Sequence, residues 1–552
     1  MNNSSIPEVG GRSAKFALIL LVLVYVFNFI DRQILTILAE DLKDDLGISD
    51  SDLGFLYGTA FAVFYSVVGI PMGKLADTWS RKNLISLGLG FWSLMTFLSG
   101  TAKSFLSLSI YRFGVGIGES SASPASYSLL SDYFSPKVRA TVLSIYASGL
   151  YIGSGIGIFI GGLIVDNWNA AFCLQDYSEM SDACKVAVSS ITTPEALSPF
   201  GLKGWQVAFM AVGLPGILLA LITWQIKEPP RGLSEGLTET KKENPLKAVF
   251  GELVGLTPIG LLQAKNTQKE LLRNLALLIF VLAGAYGLIQ ITEDHLQWIA
   301  FGIGFYFVCN WIQGLRIRDK VAFELMFKSK ALLLSLLAFP FITFVTYALG
   351  AFGPSFYQRT FDMTASEVGV IYGLITAFGS MIGVIGGGFV GDKLREKYIN
   401  GKLYLIIASA LGTAITGLGF LYSPEANVSF AWKFFYHVSS TAWLGCAAST
   451  VTELVLPRLR AVASAFFILM LSMGGLALGP YLTGLLSRIY SAQFEAQGMV
   501  KVIADADGLQ QALAQSLIVL VVPVILLGFA CRFLKKDEEN LFVKARNLGE
   551  AV

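Results

Sequence analysis

The sequence predicts an all-α integral membrane protein: two six-helix bundles joined by an inserted helix hairpin, fourteen transmembrane helices in all. Three observations carry this. The 552 residues are 54% hydrophobic and only 14% charged, against about 25% charged in a typical soluble domain, and mean hydropathy is +0.62. Apolar runs long enough to cross a hydrocarbon core of about 30 Å recur along the whole chain. Those runs fall into groups of six, two and six. The same composition excludes an ordinary cytosolic enzyme, a nucleic-acid binder and a disordered scaffold. Five cysteines and two histidines are too few for a disulfide framework, a zinc site or a His-rich metal centre. No cofactor and no metal are expected.

The first bundle, residues 1–226, contains Phe16–Leu38, Leu53–Leu75, Leu84–Gly100, Phe105–Leu130, Val138–Val165 and Trp205–Ile226. The opening residues are polar and lead into a run too long for a signal h-region, so the first span is kept. Residues 227–330 form a cytoplasmic linker with two extra spans, Leu275–Ile291 and Leu296–Leu315. Leu275–Ile291 is short. Basic residues precede it and follow its partner, and the turn Thr292–His295 between them is short and acidic, so a hairpin that leaves and returns to the basic side fits best. The second bundle, residues 331–534, contains Ala331–Phe352, Val368–Val390, Leu403–Tyr422, Phe430–Leu454, Val462–Leu486 and Leu509–Phe533; residues 535–552 are a tail.

Lys and Arg set the orientation, because cytoplasmic loops retain them. With the N-terminus inside, the outer side receives only eight of the 41: Lys43, Lys103, Lys185, Lys203, Arg359, Lys433, Arg488 and Lys501. Two, Arg32 and Arg112, lie within spans. The rest are cytoplasmic, among them Arg81, Lys82, Arg316, Arg318, Lys393 and Arg395. Both termini are therefore expected in the cytoplasm, and the compact loops favour a bacterial inner membrane. Cys173 and Cys184 share the longest outer loop, Asp166–Gly204, where a local disulfide is plausible in an oxidising compartment.

Charges inside spans are costly and mark function. Asp31, Arg32, Arg112 and Glu119 lie in the first and fourth spans, two acids against two bases. Asp31 sits ~22 Å from the inner end of its span and Arg112 ~10 Å inside the outer end of span four, hence at similar depth. Glu119 follows Arg112 by two turns on the same face. Arg32 is long enough to reach either acid. A static structural pair is the alternative, but buried pairs are poor stabilisers. Glu119 is the first choice for a proton carrier. Asp31 is the second, since Arg112 lies level with it and would engage it. Arg32 and Arg112 would bind an anionic head group. The second bundle has no matching mid-span charges; it offers Tyr347, Phe352, Tyr436, His437, Trp443 and Glu453, of which Tyr347 and His437 are the expected binding residues. A cavity lined by spans 1, 4, 9 and 12, with ionisable groups on one side and an aromatic wall on the other, suits an amphiphile.

An internal repeat supports two related halves. Gly73-Lys-Leu-Ala-Asp77-Thr-Trp-Ser-Arg81-Lys82 ends the second span, and Gly388-Phe-Val-Gly-Asp392-Lys-Leu-Arg395 ends the second span of the last six. Gly73–Lys82 resembles the signature between the second and third helices of the major facilitator superfamily. Arg112-Phe-Gly-Val-Gly116-Ile-Gly118 matches its fourth-helix motif. Gly149-Leu-Tyr-Ile-Gly153-Ser-Gly155-Ile-Gly157 is similar to its fifth-helix motif, with Ser154 where Pro is usual. Asn28-Phe-Ile-Asp31-Arg32, Gly116-Ile-Gly118-Glu119-Ser120 and Leu150–Gly157 resemble the spinster branch, which includes carriers of sphingosine phosphate and lysophospholipids. The inserted pair departs from the usual twelve helices and is similar to that of proton-coupled peptide transporters, whose other motifs are absent.

The resemblance implies the major facilitator fold and a monomeric, alternating-access, proton-coupled carrier of a lipid-like anion. It implies gating roles for Asp77, Arg81 and Asp392: Asp77, with Arg81 beside it, would meet the N-terminal end of a helix of the other half and latch the outward-facing state. The Gly149–Gly157 steps serve close helix packing and could also seal a gate. Two rivals from other classes are a passive lipid or solute pathway, which would ignore a proton gradient, and a membrane-bound lipid enzyme, for which no nucleophile–base set is found. Multidrug or organic-anion transport is the alternative within the same fold.

Overall fold

The computed structural model describes residues 8–174, 180–189, 197–231, 233–235, 244–263, 267–456 and 459–548. The first bundle comprises α1 (Arg12–Ile37), α2 (Ala39–Leu46), α3 (Asp50–Tyr57), α4 (Thr59–Thr78), α5 (Arg81–Ser99), α6 (Phe105–Glu119), α7 (Ala122–Tyr133), α8 (Pro136–Ala171), α9 (Asp182–Ser189) and α10 (Gly204–Thr223). The middle segment holds α11 (Pro245–Gly255), α12 (Thr267–Thr292), α13 (His295–Arg318) and α14 (Lys320–Lys328). The second bundle comprises α15 (Lys330–Ala351), α16 (Gly353–Phe361), α17 (Ala365–Lys397), α18 (Gly401–Leu421), α19 (Ala426–Thr441), α20 (Leu444–Glu453), α21 (Arg460–Met470), α22 (Leu478–Ala496), α23 (Lys501–Ile518), α24 (Val521–Glu539) and α25 (Leu541–Asn547). Among the described residues no strand occurs.

Among the described residues, eleven helices are long and apolar enough to cross a bilayer. The other three expected spans are helical too, one as a single helix and two divided. Leu84–Gly100 falls on α5. Phe105–Leu130 divides into α6 and α7 around Ser120 and Ser121, and Phe430–Leu454 divides into α19 and α20 around Ala442 and Trp443. The two divisions occupy corresponding places in the two bundles. Helix starts carry ordinary caps: Ser49, Ser104 and Thr364 each close a capping box, satisfying donors that a helix end leaves unpaired. Leu275–Ile291 belongs to a longer helix, α12, whose polar first turns are tied by Arg273 to Glu270 at 2.6 Å. Cys173 and Cys184 are disulfide-bonded.

Within the first bundle, Gly153 and Gly157 bring α8 onto α1: a Cβ at Gly153 would lie 2.3 Å from the Val26 carbonyl. The opposite face of the same motif meets the second bundle. Gly155 and Gly373 face each other so closely that a Cβ on either would lie 2.5 or 2.6 Å from the other's carbonyl oxygen. Gly162 meets Ala365 in the same way one step further along. The glycine stripe thus packs one bundle and seats the other.

The hairpin is asymmetric. α12 faces outward, with Leu275, Ile279, Phe280 and Tyr286 exposed. α13 buries Gln297, Trp298, Gly304 and Asn310, and packs on α4 of the first bundle and on the π-helical segment Leu471–Leu476 of the second. Asn274 holds the two hairpin helices together through Asn310, Gln313 (3.1 Å) and the Tyr306 hydroxyl (2.7 Å). At the turn, Asp294 accepts from Arg488 (3.2 and 3.3 Å) and from the Tyr481 hydroxyl (2.8 Å), both on α22.

Candidate functional site

A cavity of about 340 Å³ lies between the bundles. From the first bundle Tyr25, Arg32, Gln33, Tyr57, Tyr127 and Tyr151 reach it; from the second, Tyr347, Tyr372, Thr376, His437 and Trp443 do. The expected contributors from spans 1, 4, 9 and 12 are present, and α3, α4, α8, α17 and the π-helical segment join them. The aromatic wall is therefore on both sides, not on the second alone. Tyr347 was expected there; Tyr25, Tyr57, Tyr127, Tyr151 and Tyr372 carry no signal in the sequence, because each is an ordinary residue within its own helix.

Arg32 is the basic residue that the first bundle brings to the cavity among the described residues, its side chain 14% exposed. Its Nε donates to Glu119 Oε2 at 2.6 Å, and its guanidinium lies 4.1 Å from the Phe61 ring centroid, with Phe29 and Tyr65 at 4.7 and 4.9 Å. Such ring faces stabilise a cation where water is scarce. Asp31, Arg112 and Glu119 lie behind it, each 1% exposed. Arg112 meets Asp31 as its depth predicts, but through the backbone: its Nη1 donates to the Asp31 carbonyl oxygen at 3.1 Å. Both Asp31 carboxylate oxygens, Glu119 Oε1 and Arg112 Nε are buried without a hydrogen-bond partner among the described residues. Buried polar atoms are normally satisfied, so this cluster has spare capacity to accept protons or to change partner.

In the second bundle Tyr347 faces Tyr57, ring centroids 6.5 Å apart, and His437 sits 3.3 Å from the Thr376 hydroxyl and 3.4 Å from that of Ser380. Tyr436 packs behind His437. Phe352 lies outside the cavity, against the bundle interface. Glu453 is not a mid-span charge: it lies at a helix end, paired with Lys402 and Ser449. Lys433 is a further correction. Counted above as an outer-loop charge, it is fully buried, two turns inside α19. The signal available was its position four residues before His437 in an aromatic run, Trp432–Tyr436.

One end of the cavity is sealed between the bundles. Arg359 of α16 donates to Glu40 (2.9 and 2.9 Å) and to Asp50 (2.9 and 2.8 Å) of the first bundle. Ser487 also donates to Asp50 at 2.6 Å, Thr59 donates to the Ala477 carbonyl at 2.8 Å, and Ser366 to Asp166. Gly54 lets α3 approach the backbone of Pro480, where a Cβ would lie 2.4 Å from the carbonyl oxygen. By the Lys/Arg count this is the expected outer end.

At the opposite end the repeat motif is not engaged across the halves. Asp77 is exposed and makes no hydrogen bond or ion pair among the described residues. Arg81 is fully buried within its own bundle region, bonded to Glu228 (3.0 Å), Ser128, Asp132 and the Pro229 carbonyl (2.8 Å). Arg81, together with the Ser80 hydroxyl, holds the Glu228 carboxyl below its ordinary range. Asp392, 77% exposed, lies 3.9 Å from Lys402. Arg81 anchors α5 to α7 and the linker, while Asp77 and Asp392 stand clear.

The Major Facilitator Superfamily profile matches residues 21–480. The chain belongs to the major facilitator superfamily. Its body is that of a multi-pass membrane transporter, as the resemblance implied. It is 24% identical to an MFS-type efflux pump of Mycolicibacterium smegmatis over 95% of this chain and 93% of that one. It is 24% identical to the Drosophila melanogaster protein spinster over 86% of this chain, which spans 62% of that relative. The structure superposes on a bacterial homologue of the human lysosomal transporter spinster, in an inward-facing and unoccupied conformation, with TM-score 0.70, 25% identity, and coverage of 95% and 98% of the two chains. The spinster-like motifs therefore lie in a spinster-like chain.

Proposed function

We propose that this major facilitator transporter moves an amphipathic, lipid-like anion by alternating access and couples it to protons at Glu119, in a bacterial inner membrane with both termini cytoplasmic. The contact that carries the reading is Arg32 Nε to Glu119 Oε2 at 2.6 Å. Arg32 is the member of the cluster that reaches the cavity, so its partner and the substrate compete for one guanidinium. A proton on Glu119 removes the carboxylate, weakens the pair and frees Arg32 for an anionic head group. A bound anion, in turn, makes protonation of Glu119 easier. That reciprocity is what coupling requires. Asp31, with both oxygens unbonded, is the second acceptor. The aromatic wall on both sides would take the apolar tail, and Tyr347 and His437 the far edge of the head group.

The efflux-pump likeness over nearly the whole chain favours a second reading, export of apolar drugs through the same cavity. One experiment separates the readings: purified protein in liposomes, screened with a lysophospholipid, a fatty acid and a cationic dye, with and without a proton gradient. Glu119→Gln should keep binding and lose gradient-driven transport. Normal proton-driven transport by that variant removes Glu119 from the mechanism. A wild type that ignores the gradient favours a passive pathway.

A further inference from the structure

Among the described residues, Lys433 is a basic side chain set apart from every acid. It is fully buried, so its stem cannot carry the ammonium to water. Among the described residues no carboxylate pairs with it. Its Nζ lies 4.1 Å from the Phe420 ring centroid, 4.5 Å from Tyr436 and 5.0 Å from Tyr372, and donates to the Leu349 carbonyl at 3.4 Å. Three ring faces and a carbonyl are a receptacle for a cation, drawn from α15, α17, α18 and α19. The other buried bases differ. Arg359, Arg81 and Lys402 are tied to acids, Arg32 is tied to Glu119, and Arg112, which donates to the Asp31 carbonyl, lies in the cluster that holds both acids.

The cage shares a wall with the cavity. Tyr372 and His437 line the cavity, their rings 5.8 Å apart, and Tyr372 is also a face of the cage. In the first bundle two acids and two bases cancel when all are ionised. While Arg32 is engaged by Glu119, a proton on Lys433 would place a positive charge without a carboxylate partner behind the Tyr372 wall of the cavity, and a bound anion would favour that protonated form. Water is excluded there, so its field acts across one ring without direct contact.

We propose that Lys433 is the counter-charge for a singly anionic head group, attracting it to the Tyr372–His437 side of the cavity. This rests on the amphiphile reading above and makes it narrower: a net monoanion should be preferred over a zwitterion with the same tail. The anion would be held on the second bundle first and passed to Arg32 once Glu119 is protonated.

The test measures binding to the full chain in detergent micelles with two probes of equal acyl length, lysophosphatidylglycerol (one net negative charge) and lysophosphatidylcholine (none). Wild type should bind the anion at least about tenfold more tightly, a modest difference for one charge in low dielectric. Lys433→Met should remove that preference and leave the zwitterion within about twofold, while Lys433→Arg should retain it. A Lys433→Met protein that still prefers the anion overturns the assignment. So does a wild type that binds both probes equally, a result that needs no variant to fold. A wild type that binds neither probe overturns the amphiphile reading and the assignment with it.

Discussion

Arg359→Ala should open the sealed end of the cavity. Arg359 and Asp50 have side chains 7% and 3% exposed, and Glu40 adds a second, half-buried acid. Removing one partner of a buried pair typically costs ~3–5 kcal/mol, because the remaining charge is left uncompensated. Lys43, 3.1 Å from Asp50, and the Ser487 hydroxyl still contact that carboxylate, so the lower figure applies, about 3 kcal/mol. The penalty falls on the closed state alone, since separation of the bundles would expose Glu40 and Asp50 to water. At about 1.4 kcal/mol per tenfold, the open-to-closed ratio rises by roughly a hundredfold. Spin labels at Thr101 and Glu425, exposed residues of loops at that end, report the separation by double electron–electron resonance, with Cys309, Cys446 and Cys531 replaced. The variant should show a longer-distance population that wild type lacks, and Arg359→Lys an intermediate one. A distribution identical to wild type would refute the reasoning, leaving the glycine contacts as the closure.

Asp77→Asn should leave the conformation described here intact, because Asp77 makes no hydrogen bond or ion pair among the described residues, and should deplete the opposite state by about two- to fivefold, the weight of one helix-terminus contact at ~0.3–1 kcal/mol; label distances between the bundle ends near Arg81 and Arg395 would lengthen, and an unchanged distribution leaves Asp77 without a latch role. Asp41, in the short helix α2, is pushed up to about 7 by burial, against a 3.3 Å hydrogen bond from Asn169. The folded state therefore holds the proton longer than the unfolded state, whose carboxyl titrates near 4, and stability should fall as pH rises from about 4 to 7 and then level off. Asp41→Asn should flatten that slope in thermal melts; a slope unchanged from wild type removes Asp41 as its source. Glu293→Cys, at the exposed hairpin turn, should react with an impermeant maleimide from the face opposite the termini, and reaction only from the termini face would show that α12 and α13 do not cross.

The bundles were legible because the bilayer imposes a length that the apolar runs must meet. The divisions within the fourth and tenth helices of the body were not, since Ser120, Ser121, Ala442 and Trp443, where they fall, include no Gly or Pro to mark a break. The depth of Arg112 relative to Asp31 followed from helix rise, but which atom it bonds did not: a carbonyl and a carboxylate of one residue are equally near at that resolution of reasoning. Lys433 was misassigned because position at the end of an apolar run decides only where a chain leaves the membrane; its burial depends on Phe420 and Tyr372, rings from other helices. The Arg359 closure joins residues 319 positions apart, and no local pattern announces such a pair.

The hairpin also breaks the symmetry of the body. Two halves that rock against each other have two seams facing lipid. α13 lies across one of them: at Gly304 a Cβ would be 2.9 Å from both Val63 of α4 and Met473 of the π-helical segment, one residue from each half. The other seam is closed directly by α8 on α17, backbone against backbone at Gly155 and Gly373 and at Gly162 and Ala365, with Ser366 donating to Asp166. The added helices thus make the two seams unequal: any movement of one half against the other must carry or shear α13 on one side and part the Gly155–Gly373 backbone contact on the other.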